Sequence, residues 1–157
     1  MSYHIAQINI AEQLYPKGDT RIQGFFDAIL PINVVAERSE GFVWRLKDND
    51  GDATNIRWNE SDMMIVNMSV WESLEALHAF TYSSQHVDVY RQRHDWFHKM
   101  PTMHMAIWYV PVGTTPSLED ARIALERLDT MGATPLAFTF KQRFSVEEYL
   151  AALAITS

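Results

Sequence analysis

His86 and Arg93 are the side chains best placed to do chemistry in this chain. They sit seven residues apart in the stretch from Ser84 to Met100, whose apolar residues Val89, Tyr90, Trp96, Phe97 and Met100 recur at helical spacing. An imidazole and a guanidinium thus fall on the stripe that the helix turns toward its core. A buried ion without a partner is costly, so one of two arrangements must hold. In the structural arrangement, His86 is a hydrogen-bonded core residue and Arg93 an ion pair or a helix-end cap. In the functional one, the helix lines a solvated pocket. His86 then carries a proton near neutral pH and Arg93 holds an anionic or carbonyl oxygen. The functional arrangement calls for a cavity of roughly 300 Å³ or more.

Asn33 follows Pro31 by two positions; it either satisfies the backbone loosened by a kink there or is re-aimed toward the mouth of a pocket. Trp44 shares a face with Phe42 and Leu46 and is either a pocket floor or a core residue. Phe80, Tyr90 and Trp96 complete an aromatic set against which a ring could lie. His94 and His98 have the i, i+4 spacing of zinc ligands. The intervening Asp95-Trp96-Phe97 lacks the general-base Glu of the metalloprotease motif, no third ligand is evident, and no metal is expected. Asp48–Asp52 has the composition of a calcium loop but the wrong spacing of Gly and Glu.

The elements that must position these residues follow from periodicity. Tyr3 to Ile10, Phe42 to Leu46, the run from Met64 to Trp71 and Met103 to Val110 have strand character. A helix capped by Asp19, kinked or divided at Pro31, extends to Gly41. A second helical region divides at Ser83-Ser84, with Ser84 capping a helix that ends at Pro101. This order makes an α+β, ferredoxin-like β-α-β-β-α-β unit with helices on one face of an antiparallel sheet. The other face carries Gln7, Asn9, Arg45, Asn67, Ser69, His104 and Trp108, with Trp71 at the same parity. A polar set of this kind, accompanied by tryptophans, suggests the interior of a homodimer with Trp108 and Arg45 near the two-fold axis. Beyond Val112, Ser117 with Asp120 and Ser145 with Glu148 are capping boxes for two further helices, and Thr134 to Phe140 is extended. The chain reads as one domain over 1–157, with a core of about 1–112 and a helical appendage of about 113–157.

Composition narrows the function. The chain has 157 residues, 47% of them hydrophobic, which is enough for an ordered core. A net charge of -7 argues against nucleic acid as partner. No apolar run spans a membrane, and no signal peptide is evident, so a cytoplasmic protein is expected. The absence of cysteine excludes disulfides and thiolate chemistry.

Gly41-Phe42-Val43-Trp44-Arg45-Leu46, Asn67-Met68-Ser69-Val70-Trp71-Glu72-Ser73 and the helix from His86 to Phe97 resemble the DUF3291 family, of the antibiotic-biosynthesis-monooxygenase-like superfamily of dimeric α/β barrels. The resemblance implies a small-molecule pocket between helices and sheet that takes an aromatic or polycyclic ligand. It implies a cofactor-independent, monooxygenase-like enzyme; the alternatives are a haem-binding protein and a non-catalytic ligand-binding or stress protein. The Asn, Trp and His of the staphylococcal haem-degrading type correspond to Ile8, Phe80 and the vicinity of Tyr90, so that triad is not reproduced. His86 would be the axial ligand if haem bound.

Overall fold

The computed structural model describes residues 2–47 and 56–156; the acidic stretch Asp48–Asp52, whose spacing does not suit a calcium loop, lies outside the described residues. The element order is β1 (Tyr3–Glu12), α1 (Gln23–Arg38), β2 (Phe42–Arg45), β3 (Met64–Trp71), α2 (Leu74–Thr81), α3 (Ser84–Arg91), α4 (Arg93–Trp96), β4 (Met105–Pro111), α5 (Leu118–Met131) and α6 (Val146–Thr156). The strands form one antiparallel sheet in the order β2-β3-β1-β4, which is the expected ferredoxin-like arrangement. β1 and β3 sit at its centre because both are long and rich in β-branched residues.

Register decides which side chains share a face. Gln7 stands opposite Ser69 and Ile107, while Ala6 stands opposite Val70 and Trp108. Odd-numbered residues of β1, β3 and β4 therefore face α1, α2 and α3, and even-numbered ones face away. The even face is apolar: Ile8, Met68, Val70, Ala106 and Trp108 are buried there with Ala121, Ala124, Leu125 and Leu128 of α5. Small residues at 121 and 124 let α5 lie close to the strands. Its start is fixed by a reciprocal capping box, with Ser117 Oγ accepting from the Asp120 N–H at 3.1 Å and Asp120 Oδ2 accepting from the Ser117 N–H at 2.9 Å.

This overturns one expectation about assembly. The cover expected from a second subunit comes, over this area, from the chain's own α5. Trp108 and Arg45, expected together at a two-fold axis, lie on opposite faces of the sheet. Trp44 changes face as well, because the β2–β3 register shifts between Phe42 and Trp44. Across that bulge Phe42 lies opposite Trp71 and Trp44 opposite Val70, so alternation fails by one residue.

The helices differ from expectation in two places. Of the two arrangements expected at Pro31, a kinked helix or a divided one, the undivided one holds, and α1 runs from Gln23 to Arg38 with Pro31 inside it. Asp19 caps the preceding turn instead: its carboxylate takes the Arg21 N–H at 2.9 Å and the Arg21 guanidinium at 3.0 and 2.8 Å, which lowers its pKa to about 2. The single helix expected from Ser84 to Pro101 is broken at Gln92, and the chain is extended at Phe97. The reason is a competing ladder. Leu14 donates to the Trp96 carbonyl at 2.8 Å and His98 to the Glu12 carbonyl at 2.9 Å, so the end of β1 claims this backbone. His94 and His98 consequently share no helical face, and among the described residues no group of three or more side chains could hold a metal. No described helix is long and apolar enough to cross a membrane.

The last third of the chain wraps the β4 edge. Ile107 and Phe138 exchange backbone hydrogen bonds of 2.8 and 2.9 Å, and Tyr109 Oη donates to the Phe144 carbonyl at 2.5 Å. Phe138 is fully buried, so the appendage is part of the same packed body.

Candidate functional site

The odd face of the sheet is divided. Toward β4 it is dry, with Ile5, Trp71, Ile107 and Tyr109 packed on Leu74 and Leu77 of α2. Toward β2 it is open, and there α1 and α3 stand away from the strands around a cavity of about 190 Å³. The sheet side contributes Asn9, Arg45, Ile65 and Asn67 among others to its wall; α1 contributes Phe25, Ala28, Ile29, Ile32 and Asn33; His86, Val89 and Phe97 also line it. The volume falls short of the 300 Å³ expected. A cavity of roughly 150 Å³ accommodates a benzene ring, so this one suits a single substituted ring.

A hydrogen-bond network separates the dry half from the open half. Gln7 Nε2 donates to Asn67 Oδ1 at 2.7 Å and to Ser69 Oγ at 2.8 Å, and Trp71 Nε1 donates to the same Ser69 Oγ at 2.9 Å. Gln7 and Ser69 are buried, and buried polar groups linked in this way hold their orientation. With Oδ1 taken by Gln7, the Asn67 side chain keeps its Nδ2 hydrogens for other acceptors.

His86 is held from two sides. Its Nδ1 lies 2.9 Å from the Thr81 carbonyl, which can only accept, so Nδ1 carries the proton. Neutral His86 then presents an unprotonated Nε2. Phe80 supports the ring from a centroid distance of 5.1 Å and itself stacks on Trp71 at 5.2 Å. Burial pushes the imidazole pKa below its ordinary 6.5, against a smaller opposing effect of the Thr81 hydrogen bond. The basic form therefore prevails at neutral pH.

Arg45 supplies the cation of the cavity. Only 11% of its side chain is exposed; Glu37 Oε1 accepts from Nε at 3.1 Å and pairs with Nη2 at 3.1 Å. Glu37 lies one turn beyond Asn33 on α1, at the rim, with its side chain 41% exposed.

Of the residues expected at the site, His86 and Asn33 line the cavity. Phe80 stands behind His86, and Trp96 is buried behind Phe25 at 5.8 Å, so both support the wall without forming it. Three expectations are corrected. Trp44 belongs to the cluster on the α5 side. Tyr90 is 52% exposed on the outside of α3. Arg93 caps the end of α3, donating through Nη1 to the Tyr90 carbonyl at 3.1 Å with its guanidinium 4.0 Å from the Tyr90 ring. The break at Gln92 rotates it off the stripe it would occupy on a continuous helix. Conversely, Asn9, Arg45 and Asn67 line the pocket although their polar strand positions suggested a dimer interior. Their parity with Trp71 was the available signal, because Trp71 meets α2.

The amino-acid sequence matches the model of a domain of unknown function, DUF3291, over residues 4–153. The chain belongs to the DUF3291 family. No curated relative matches it. Among solved structures, similarity extends to SnoaB, a cofactor-independent oxygenase from Streptomyces nogalater, at 12% identity and a TM-score of 0.45, covering 73% of this chain and 97% of that one. It extends also to Rv0793 from Mycobacterium tuberculosis, at 13% identity and a TM-score of 0.46, covering 73% and 99%. PA3566 from Pseudomonas aeruginosa gives 9% identity and a TM-score of 0.47, covering 70% and 94%. At these identities no residue role passes from those proteins to this DUF3291 chain.

Proposed function

We propose that this DUF3291 chain binds a small hydroxylated ring in the cavity under α1 and α3 and takes a proton from it at His86 Nε2, as a cofactor-independent, monooxygenase-like enzyme. The observation that carries this reading is the fixed His86 tautomer, which leaves a basic nitrogen on a residue lining a cavity that also holds the Arg45 guanidinium and the amides of Asn9, Asn33 and Asn67. Base on one side and donors on the other is the arrangement that forms and stabilises an aryloxide. Phe25 and Phe97, whose rings meet at 4.8 Å, give the ligand ring an aromatic wall. Deprotonation makes the ring electron-rich toward dioxygen. In the oxygenation of a phenol to a quinone, one oxygen atom replaces a ring hydrogen and becomes a carbonyl. The other leaves as water with that ring hydrogen and the phenolic proton, so no further reductant is needed.

A cavity suited to one ring does not fit a four-ring macrocycle, so the residues present do not favour haem or a polycyclic ligand. The test is oxygen uptake by the purified protein with a panel of one-ring phenols and hydroquinones. His86→Gln should lower turnover by about a hundredfold or more while leaving the melting temperature nearly unchanged. Turnover unaffected by His86→Gln refutes the proton-transfer role. Tight ligand binding without oxygen uptake would make the protein a ligand-sequestering one.

A further inference from the structure

We infer that the chain has a second ligand site, a cavity beside the first turn of α2 that takes a weakly hydrated organic cation of the quaternary-ammonium class. The cavity has a volume of about 400 Å³, within the range of small-ligand sites, and opens to solvent. It shares no lining residue with the His86 cavity, so the inference stands apart from the reading above. Tyr3, Tyr109 and Phe144 bring aromatic rings to its wall, and Glu72 and Glu75 bring carboxylates. The rings are held by packing behind them: Tyr3 and Tyr109 each meet Tyr149, at centroid distances of 5.6 and 5.5 Å, and Phe144 meets Phe138 at 5.7 Å. A wall fixed in this way exists before any ligand arrives.

The charge around this cavity favours a cation. Ser73 Oγ already caps α2, accepting from the Ala76 N–H at 3.1 Å, and among the described residues the carboxylates of Glu72 and Glu75 have no hydrogen-bond or ion-pair partner. Arg143 also lines the cavity, but its guanidinium lies 5.7 Å from the Phe140 ring, with Nε donating to the Phe140 carbonyl at 3.4 Å. The Tyr109 phenol reports the resulting field: burial raises its pKa, and Glu75, Glu147 and Glu148 raise it further. Glu72 and Glu75 are exposed whereas Tyr109 is buried, so the acids attract from the rim and the rings make the contact. That division decides the class of cation. A primary ammonium ion is strongly hydrated, and pairing with exposed carboxylates returns little for the water it must lose. A quaternary ammonium ion holds its water weakly and is attracted to aromatic faces.

The test titrates the full chain at neutral pH with three compounds: choline, 3,3-dimethylbutan-1-ol, which has the same shape without the charge, and ethanolamine, whose ammonium is primary. NMR would follow the ring signals of Tyr3 and Tyr109, with those of His86 as a control. Choline should bind at least about tenfold more tightly than either of the others and should leave the His86 signals unmoved. The double variant Glu72→Gln with Glu75→Gln should lower choline affinity by about fivefold or more. Both positions are exposed, so the fold is kept. Equal affinity for choline and the uncharged alcohol, or a choline affinity unmoved by the double variant, overturns the cation site. Ethanolamine bound as tightly as choline overturns the quaternary class. Absence of any choline-induced shift at Tyr3 and Tyr109 overturns the site altogether, and none of these results bears on the His86 cavity.

Discussion

Along β1, successive side chains enter opposite environments. Ala6, Ile8 and Ile10 are buried in the cluster that α5 joins, while Gln7 anchors a polar network on the other side and Asn9 borders open space. The same alternation runs through β3, where Val66, Met68 and Val70 pack on one side and Asn67 and Ser69 face the other. The dry face is closed by short residues on α5 that allow close packing. The polar face is spanned by helices that cannot close on it, because Gln7, Asn67, Ser69 and Arg45 must keep partners. A sheet whose one face is sealed within the chain can leave part of the other incompletely packed. Stability and binding are thereby assigned to different sides of the same four strands.

The largest effect that this contrast predicts is on the sealed side. Leu125→Ala removes a buried side chain from the α5 contact and should cost about 2–5 kcal/mol in urea unfolding. At this chain length that is a fall of several degrees in melting temperature, roughly 2–4 °C per kcal/mol. Binding of a ligand at His86 should survive, measured below the new transition. A cost under about 1 kcal/mol would mean that α5 is not the cover of the even face.

How far the two sides were legible differs in an instructive way. Alternation in β1 and β3, the Ser117 and Ser145 capping signatures and the helical spacing around Ile22–Ile29 are local patterns, and local patterns were enough for the fold. His86 was found because its polarity contradicts its neighbours on an amphipathic helix, and Asn33 because it follows Pro31 by two positions on another. The facing of the sheet was not legible, since it depends on register between strands distant in sequence. Nothing near Trp108 says that it stands opposite Ala6 rather than Gln7. One bulge sufficed to send Trp44 to the α5 side. Arg93 was misplaced by a tertiary effect, the capture of residues 96–98 by the end of β1.

A smaller effect separates the faces by pH. His86 has a folded-state pKa below its ordinary 6.5, chiefly because burial disfavours the charged ring. Between the folded and unfolded values the unfolded chain binds more protons, so stability from this group is present above 6.5 and is lost as pH falls through that range. Unfolding free energies of wild type and His86→Gln, nearly equal at about pH 7.5, should therefore separate on acidification to about pH 5.5, with the wild type losing more. Ligand binding at the cavity should weaken over the same interval as Nε2 takes up a proton. Parallel loss of stability in both proteins would show that His86 is not desolvated, and the contrast between a dry face and a partly sheltered pocket would lose its titratable marker.

The smallest predicted effect concerns a residue that sequence spacing makes prominent. Arg93 donates to the Tyr90 carbonyl and covers the Tyr90 ring, on a surface away from the cavity. Its contribution is that of a helix-end cation with a stacking contact: a favourable interaction with the carbonyls that α3 leaves open, weakened by solvent. Arg93→Ala should cost about 0.5–1 kcal/mol and leave ligand affinity at the His86 cavity unchanged. Arg45→Ala is the sharp counterpart, because it removes the cavity's own guanidinium and should weaken the same ligand markedly. The pair discriminates between two assignments of the positive charge using one binding assay. If Arg93→Ala abolished binding and Arg45→Ala did not, α3 and α4 would have to be joined as one continuous helix when ligand is bound, turning Arg93 inward and replacing the broken geometry at Gln92.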